Sequence, residues 1–201
     1  MSQEPGLAAT PPSTMQKPHL SDYEWIAATP FLLVHLSVLG VIWTGVTPAA
    51  AITCGVLYIV RMWAVTAGYH RYFSHRTFKT SRVFQFVLAF LAQSSAQKGA
   101  LWWAAHHRHH HRHSDTPEDV HSPVQRGFLY AHFGWLFDHT SETDLARVKD
   151  LARYPELRWL NRHYLVPPTI MAIAVGLLFG WSGLIVGFML STVLLWHGTF
   201  T

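Results

Sequence analysis

Two long intervals of the chain contain no Asp, Glu, Lys or Arg. The first lies between Glu24 and Arg61, and the second runs from Arg162 to Thr201. Half of the 201 residues are hydrophobic, and the mean hydropathy is +0.15. A helix that crosses a membrane needs about 20 apolar residues. Each interval is therefore long enough for a hairpin of two spanning helices.

These intervals predict an all-α, integral membrane fold with four transmembrane helices in two hairpins. Proline follows threonine at Thr29–Pro30 and Thr47–Pro48, a pattern typical of helix starts. We expect the first pair of helices to cover residues 30–47 and 48–69. The second pair is expected over residues 166–179 and from 183 to the end of the chain, with a turn at 180–183.

The charged residues indicate the orientation. Of the 15 Lys and Arg residues, 13 lie between Arg71 and Arg162, and neither hairpin turn carries one. The positive-inside rule places this segment, and with it the N-terminus, in the cytoplasm. The same segment holds eight acidic residues and no interleaved aromatic stripe. The basic charge therefore indicates topology and not binding to nucleic acid.

Several other features set limits on the fold. Residues 1–24 are rich in Pro, Ser, Thr and Gln, which predicts a flexible tail and not a cleavable signal. Cys54 is the only cysteine, so an internal disulfide and a cysteine-based metal site are excluded. Arg61 interrupts the second predicted helix and is either a snorkelling residue that faces lipid or part of a structural pair within the bundle.

Histidine is concentrated in two clusters. The first contains His70 and His75, and the second contains six histidines between His106 and His113. Neutral imidazole is a common metal ligand.

The segment 83–105 between the clusters is apolar at first and polar later. If it crossed the membrane, the clusters would lie on opposite sides, so we expect an interfacial or partly re-entrant helix.

The spacing within each cluster bears on a metal site. His107, His110 and His111 are related as i, i+3 and i+4, which places them on one face of a helix. His70 and His75 are five residues apart, so we expect a helix end to bring both inward. Six scattered histidines are expected to be ordinary surface or packing residues: His19, His35, His121, His132, His139 and His163.

Two segments with their flanks resemble a known family. Residues 66–79 read TAGYHRYFSHRTFK, and residues 107–115 read HRHHHRHSD, with Trp103 shortly before. Shorter matches follow at 119–123, 126–128 and 132–135. Together these motifs resemble the membrane fatty-acyl desaturases of the Δ9, stearoyl-CoA type, and the bacterial members are the most similar. The resemblance covers residues 25–201.

The resemblance implies a non-haem centre of two irons held by histidines. His70 and His75 match the first histidine box. His106, His109 and His110 also fit the H-x-x-H-H pattern of the second box, but the family places Ser-Asp or Ser-Glu two residues beyond the paired histidines. Ser114–Asp115 therefore selects a second-box set of His107, His110 and His111.

The resemblance also implies a reaction. An O₂-dependent desaturase would insert a cis double bond, at the Δ9 position, into a long acyl chain carried by CoA or lipid. Animal members have aspartate and arginine, both associated with the CoA head group, where this chain has His106 and Ala105. Trp103 is a candidate wall of the acyl tunnel, or a plain interfacial anchor.

The implied setting is the bacterial inner membrane, with membrane lipids around the helices. Electrons would come from an external donor of the ferredoxin, rubredoxin or cytochrome type, because the sequence shows no nucleotide, haem or flavin motif. Residues 196–201, which include His197, resemble the start of a signature that continues into the family's third histidine box. We therefore expect residues 25–201 to be a desaturase domain truncated at its C-terminal side, binding iron weakly by itself.

Two other classes of function are compatible with histidine clusters beside apolar helices. A related di-iron membrane hydroxylase or alkane oxygenase would form an alcohol where a desaturase forms an alkene. A non-enzymatic metal-binding or transport protein would need polar or acidic ligands within the spans. Apart from Arg61 and histidines near helix ends, the spans contain few such residues.

Overall fold

The computed structural model describes residues 25–119, 121–137 and 142–200, with side chains from residue 29 onward. The predicted tail at 1–24, together with His19 and His139, lies outside these ranges. Within them all regular structure is helical, which confirms the all-α prediction.

The first charge-free interval forms helices on both sides of a break at residues 45–47. Helix α1 covers Trp25–Ser37, continues through a 3₁₀ turn at Val38–Gly40, and ends in the short helix α2, Val41–Thr44. Pro30 lies inside α1, so the predicted helix start at Thr29–Pro30 is wrong. A proline within a helix removes one backbone hydrogen bond, and the apolar segment continues as a helix on both sides of it.

Helix α3 covers Pro48–Trp63 and begins where the sequence predicts. Thr47 is the N-cap, and its hydroxyl accepts a hydrogen bond from the amide of Ala50 at 3.2 Å. Pro48 occupies the first helical position, where a missing N–H costs nothing. A π-helix, Ala64–Ser74, follows α3 directly.

The second charge-free interval reverses direction at Gly180. Helix α10 covers Val166–Ser182, and within it Gly180 has φ 64° and ψ −161°, a conformation that favours glycine. A second π-helix, Gly183–Leu190, and helix α11, Ser191–Thr199, complete the hairpin. The predicted turn at 180–183 is thus confirmed.

Two helical stretches in the described part of the chain are long and apolar enough to cross a membrane. They are Pro48–Ser74 and Val166–Thr199, the second containing the break at Gly180. Thr29–Thr44 and Arg82–Gln93 are shorter apolar helices. Length and composition therefore support a membrane protein.

The predicted single helix over 83–105 is two helices joined by a tight turn. Helix α4 covers Arg82–Gln93, and helix α5 covers Ala100–His113. The Gln93 side chain accepts a hydrogen bond from the amide of Ala100 at 3.2 Å and donates one to the carbonyl of Leu160 at 3.1 Å. Because α4 has only 12 residues, or about 18 Å, it is too short to cross a bilayer.

The remaining helices are short, and the turn at Leu145–Val148 and the helix Pro155–Arg162 pack against α5. Short helices α6 and α7 cover Pro123–Arg126 and Phe128–His132, and a 3₁₀ turn follows at Gly134–Phe137. Another 3₁₀ turn at Leu145–Val148 leads into α8, Lys149–Ala152, and α9, Pro155–Arg162. The main core lies between these helices and the ends of the long ones. Its largest members are Tyr69, Phe73, Leu88, Leu101, Leu157, Leu160, Leu195 and Trp196.

Arg61 is completely buried within the bundle, so the snorkelling alternative is wrong. Its guanidinium donates hydrogen bonds to the carbonyl of Ser94 at 3.3 Å and to the hydroxyl of Thr192 at 2.7 Å, and another to the hydroxyl of Ser191. The group also lies 4.9 Å from the ring centroid of Phe188. Arg61 therefore joins α3 to α11 and to the turn that follows α4.

Candidate metal centre

Four histidines from the two sequence clusters meet at the end of α5. They are His70, His75, His107 and His111, and we call them the histidine tetrad. One ring nitrogen from each lies within 4.8 Å of the others. The Nε2 atom of His107 is 3.2 Å from that of His75 and 3.0 Å from that of His111.

π-Helical winding brings the first-box histidines together. In a π-helix each amide bonds the carbonyl five residues earlier, so residues five apart lie above one another. The amide of His75 donates to the carbonyl of His70 at 3.1 Å, and the two ring centroids are 4.5 Å apart. We expected the end of a helix to bring His70 and His75 inward. The helix does end at Ser74, but its winding sets the side-chain positions.

The second box lies on α5, as the spacing predicts. His107 and His111 are one turn apart, with ring centroids separated by 4.5 Å, and both belong to the tetrad. His110 turns to the side and forms a second group with Asp119 and His121. Its Nδ1 atom is 2.9 Å from the Asp119 carboxylate, which is fully buried. The structure therefore brings four of the five candidate ligands together.

Two histidines of the second box, His107 and His111, have lowered pKa values, which favours the neutral form that metals require. Burial, followed by the nearby histidines His111, His70 and His75, lowers the pKa of His107 to about 3. Burial and the neighbouring imidazoles also lower the pKa of His111.

Arg108, next to His107 on α5, connects the two boxes. Its guanidinium donates to the carbonyls of Phe73 and Ser74 at 2.7 and 3.1 Å, which are the last carbonyls of the π-helix. It also forms a two-point ion pair with Asp150, with N···O distances of 2.8 and 3.1 Å. Asp150 therefore holds Arg108 where it fixes the end of the helix that carries His70 and His75.

Asp150→Asn is expected to lower the free energy of unfolding by about 1–2 kcal/mol, because charge-assisted hydrogen bonds are lost at a partly buried site. Asp144→Asn is the matched control, since the Asp144 pair with Arg147 is more exposed and such pairs contribute less. Thermal unfolding of both variants in detergent measures the difference. Equal midpoints for the two variants would contradict the assigned role.

His106 lies next to the tetrad but packs elsewhere. Its ring stacks on Trp102 at 4.1 Å, and its Nδ1 atom is 2.9 Å from the Trp102 carbonyl. Burial lowers its pKa to about 4, although the hydrogen bond to the carbonyl acts in the opposite direction. His106 is thus a neutral packing residue in the folded chain.

The lowered pKa values of His106 and His107 predict that the metal-free protein loses stability in acid. Both groups titrate near pH 6.5 when unfolded, so the stabilisation is complete above that pH. It falls progressively towards pH 4, because the unfolded chain then binds protons that the folded chain excludes. His106→Phe keeps the stack on Trp102 and should flatten the decline in unfolding midpoint between pH 7.5 and 5. His163→Phe, at an exposed position, is the control, and an unchanged slope for His106→Phe would refute the prediction.

A cavity of about 1530 Å³ adjoins both histidine groups. His70, His107, His110 and His121 line one wall. Trp103 lines the same cavity and stacks between Tyr69 and His107, with centroid distances of 5.3 and 4.6 Å. The other walls are largely apolar and include Phe31, Val34, Met62, Val65, Phe128, Leu136, Pro168, Phe188, Met189 and Phe200.

Three more histidines form a chain at the side of this cavity. The Nε2 atoms of His35 and His197 are 3.0 Å apart, and the Nδ1 atom of His197 is 3.0 Å from Nε2 of His132. The two contacts use opposite sides of the His197 ring, so they cannot bind one ion together. His35 and His132 were expected to be ordinary surface or packing residues, because no local motif indicates this contact between α1, α7 and α11.

The donor set of the tetrad fits a transition metal. Four imidazole nitrogens converge, and neutral imidazole suits iron, zinc, copper and nickel. The separation of 3.0 Å between the Nε2 atoms of His107 and His111 is close to the spacing of two ligands at right angles around one ion at about 2.1 Å. Two members of the tetrad, His70 and His107, line the largely apolar cavity, so a metal bound there would lie beside an apolar space.

Comparison with known proteins agrees with this geometry. The family model for fatty acid desaturases matches residues 23–201. The sn-1 stearoyl-lipid 9-desaturase of Anabaena variabilis is 31% identical over 195 residues, covering 93% of this chain and 69% of that protein. The hex-5-enoyl-[acyl-carrier protein] acetylenase of Moorena producens (strain JHB) is 33% identical over 175 residues, covering 75% and 51%. A probable acyl-CoA desaturase of Schizosaccharomyces pombe is 31% identical over 151 residues, covering 74% and 31%.

The chain therefore belongs to the fatty acid desaturase family. It spans about half of the acetylenase and about two thirds of the lipid desaturase. These relatives differ in their named acyl carrier, which is an acyl-carrier protein, a lipid or CoA.

Proposed function

We propose that this protein is an O₂-dependent fatty-acyl desaturase that inserts a cis double bond at the Δ9 position of a long acyl chain. The observation that carries the proposal is the histidine tetrad, two of whose members, His70 and His107, line a largely apolar cavity. A saturated acyl chain has no functional group near its middle, so the protein must select the carbon by position. An apolar cavity with one metal-binding wall provides that selection.

The proposed roles of the residues follow from their positions. His70, His75, His107 and His111 would bind metal, and His110 would contribute from the neighbouring group. Two non-haem irons held there would supply oxidation of unactivated C–H bonds by O₂. Trp103, stacked on His107, would form a rigid wall for the acyl chain. The apolar lining would exclude water from the reacting carbons.

The overall reaction removes two hydrogens from adjacent methylenes. One acyl chain, one O₂, two electrons and two protons give one alkene and two waters. The electrons would come from an external donor of the ferredoxin, rubredoxin or cytochrome type. The acyl chain would be carried by CoA or by a lipid, and Ala105 and His106 replace the charged pair that animal relatives use for CoA.

We propose that the protein lies in the bacterial inner membrane and crosses it with four helices. The two hairpins would cross the bilayer, and the segment that carries the tetrad would lie on the cytoplasmic side, as the distribution of Lys and Arg indicates. Helices α4 and α5, with the turn between them, would lie at the membrane surface. Attachment of impermeant reagents to single cysteines introduced at Gly45 and Lys79, in a chain whose Cys54 is replaced by alanine, would test this orientation.

Deletion of the gene in its native host, followed by complementation, tests the activity. We expect the deletion to remove a monounsaturated fatty acid from the lipids, the wild-type gene to restore it, and a His107→Ala gene to fail. Gas chromatography of the methyl esters locates the double bond. A hydroxylated product would indicate the alternative oxygenase, and an unchanged lipid profile would refute both activities.

A further inference from the structure

Asp119 is a buried carboxylate in the loop that follows α5. Its side chain has no exposed surface, and a buried charge of this kind requires hydrogen-bond donors. Three are present: the Nδ1 atom of His110 at 2.9 Å, the amide of Asp115 at 3.0 Å and the amide of His121 at 3.2 Å. Each carboxylate oxygen accepts one backbone amide, Oδ2 from Asp115 and Oδ1 from His121, an arrangement that favours the ionised carboxylate.

The backbone of the loop is distorted to provide one of these donors. Asp115 has a φ of 61°, in the left-handed region that residues with side chains adopt infrequently. Its amide points at the Asp119 carboxylate as a result. Ser122 and Gln125 hold Asp115 in place by donating to its carboxylate and its carbonyl, at 2.8 and 2.6 Å. The conformation of the loop therefore places hydrogen-bond donors around the Asp119 carboxylate.

The contact with Asp119 determines the tautomer of His110. An ionised carboxylate can only accept hydrogen bonds, so the Nδ1 atom of His110 must carry the proton. The lone pair of the neutral ring then lies on Nε2. His110 lines the same cavity as His107, and its ring centroid is 5.6 Å from that of His111 in the tetrad.

We propose that Asp119 is a positioning residue that fixes the Nδ1–H tautomer of His110 and thereby presents Nε2 as a metal ligand beside the tetrad. The inference rests on the proposed function, because it assumes that the tetrad binds metal. Carboxylates that hold a ligating histidine in this way also raise the basicity of the ligand nitrogen. The donors already bound to Asp119 leave it poorly suited to bind a metal ion itself.

The first test needs no metal. In ¹⁵N NMR spectra of the metal-free, histidine-labelled protein, His110 is expected to show the Nδ1–H tautomer, identified by the loss of its signals in His110→Gln. Asp119→Ala should convert His110 to a mixture of tautomers, whereas Asp144→Asn should leave it unchanged. A mixture already present in the wild type would overturn the proposal, whether or not the protein is a desaturase.

The second test measures Co²⁺ binding to the purified full-length protein after chelation. We expect Asp119→Ala to weaken binding by about 10–100-fold at unchanged stoichiometry, with Asp144→Asn equal to wild type. Asp119→Asn, which retains an acceptor oxygen for His110, should be affected less and supplies a second variant if alanine impairs folding.

Loss of one bound ion per chain would identify Asp119 as a direct ligand, and wild-type affinity in both variants would exclude any role. Either result overturns the proposal. A wild-type protein that binds no Co²⁺ would instead refute the proposed function.

Discussion

Replacing His107 by alanine is expected to weaken metal binding by at least about 100-fold, since even an outer-shell partner contributes about 10–100-fold. His107 is central to the tetrad. Its ring centroid lies 4.8 Å from that of His70, 5.2 Å from that of His75 and 4.5 Å from that of His111. Titration of the metal-free variant with Co²⁺ measures the loss.

His113→Ala is the matched control for this change. His113 lies on the same helix but belongs to neither of the two histidine groups that could hold a metal. The control should bind Co²⁺ as the wild type does, and both variants should elute as folded protein from a sizing column. Stoichiometric, tight binding by His107→Ala would show that the tetrad is not the metal site.

Arg61→Ala is expected to lower the free energy of unfolding by about 3–5 kcal/mol, combining a cavity with buried acceptors that lose their donor. The guanidinium fills the space between α3, α11 and the turn after α4, and it donates to Ser94, Ser191 and Thr192. Ile59→Ala, at a position that is 67% exposed, controls for loss of side-chain volume and should cost less than about 1 kcal/mol. Thermal unfolding in detergent compares the two.

A combined variant separates hydrogen bonding from packing. Arg61→Met together with Ser191→Ala and Thr192→Val replaces the charge and two of its acceptors by apolar groups of similar size. This exchange should recover much of the stability lost in Arg61→Met alone, because a network removed as a whole leaves few polar groups unsatisfied. If the triple variant is no more stable than Arg61→Met, the hydrogen bonds of Arg61 do not explain its burial.

The sequence predicted the features of the fold that depend on local composition. Charge-free apolar intervals predicted helical hairpins, and the reversal at Gly180 lies in the predicted turn. Thr47 and Pro48 predicted the start of α3 because an N-cap hydroxyl and an N1 proline act on their own neighbours. By the same logic Pro30 suggested a helix start, but the helix passes through it.

Packing between distant segments decided the rest of the candidate site. The turn between α4 and α5 depends on Gln93, which satisfies a backbone amide there and reaches Leu160 on α9. Nothing in residues 83–105 alone indicates that contact. Similarly, Asp119 and His121 gain significance only because the loop folds back on His110.

The sequence by itself determined the helical, membrane-compatible class of the protein, the family and the two histidine boxes. Each of these depends on residue types at short, fixed spacings along the chain. Only the tertiary structure decided which imidazoles meet. The π-helical winding that aligns His70 with His75 and the rotation of His110 towards Asp119 both depend on contacts between segments far apart in the chain. Local propensity does not distinguish a π-turn from an α-turn, and the free energy of packing makes that choice.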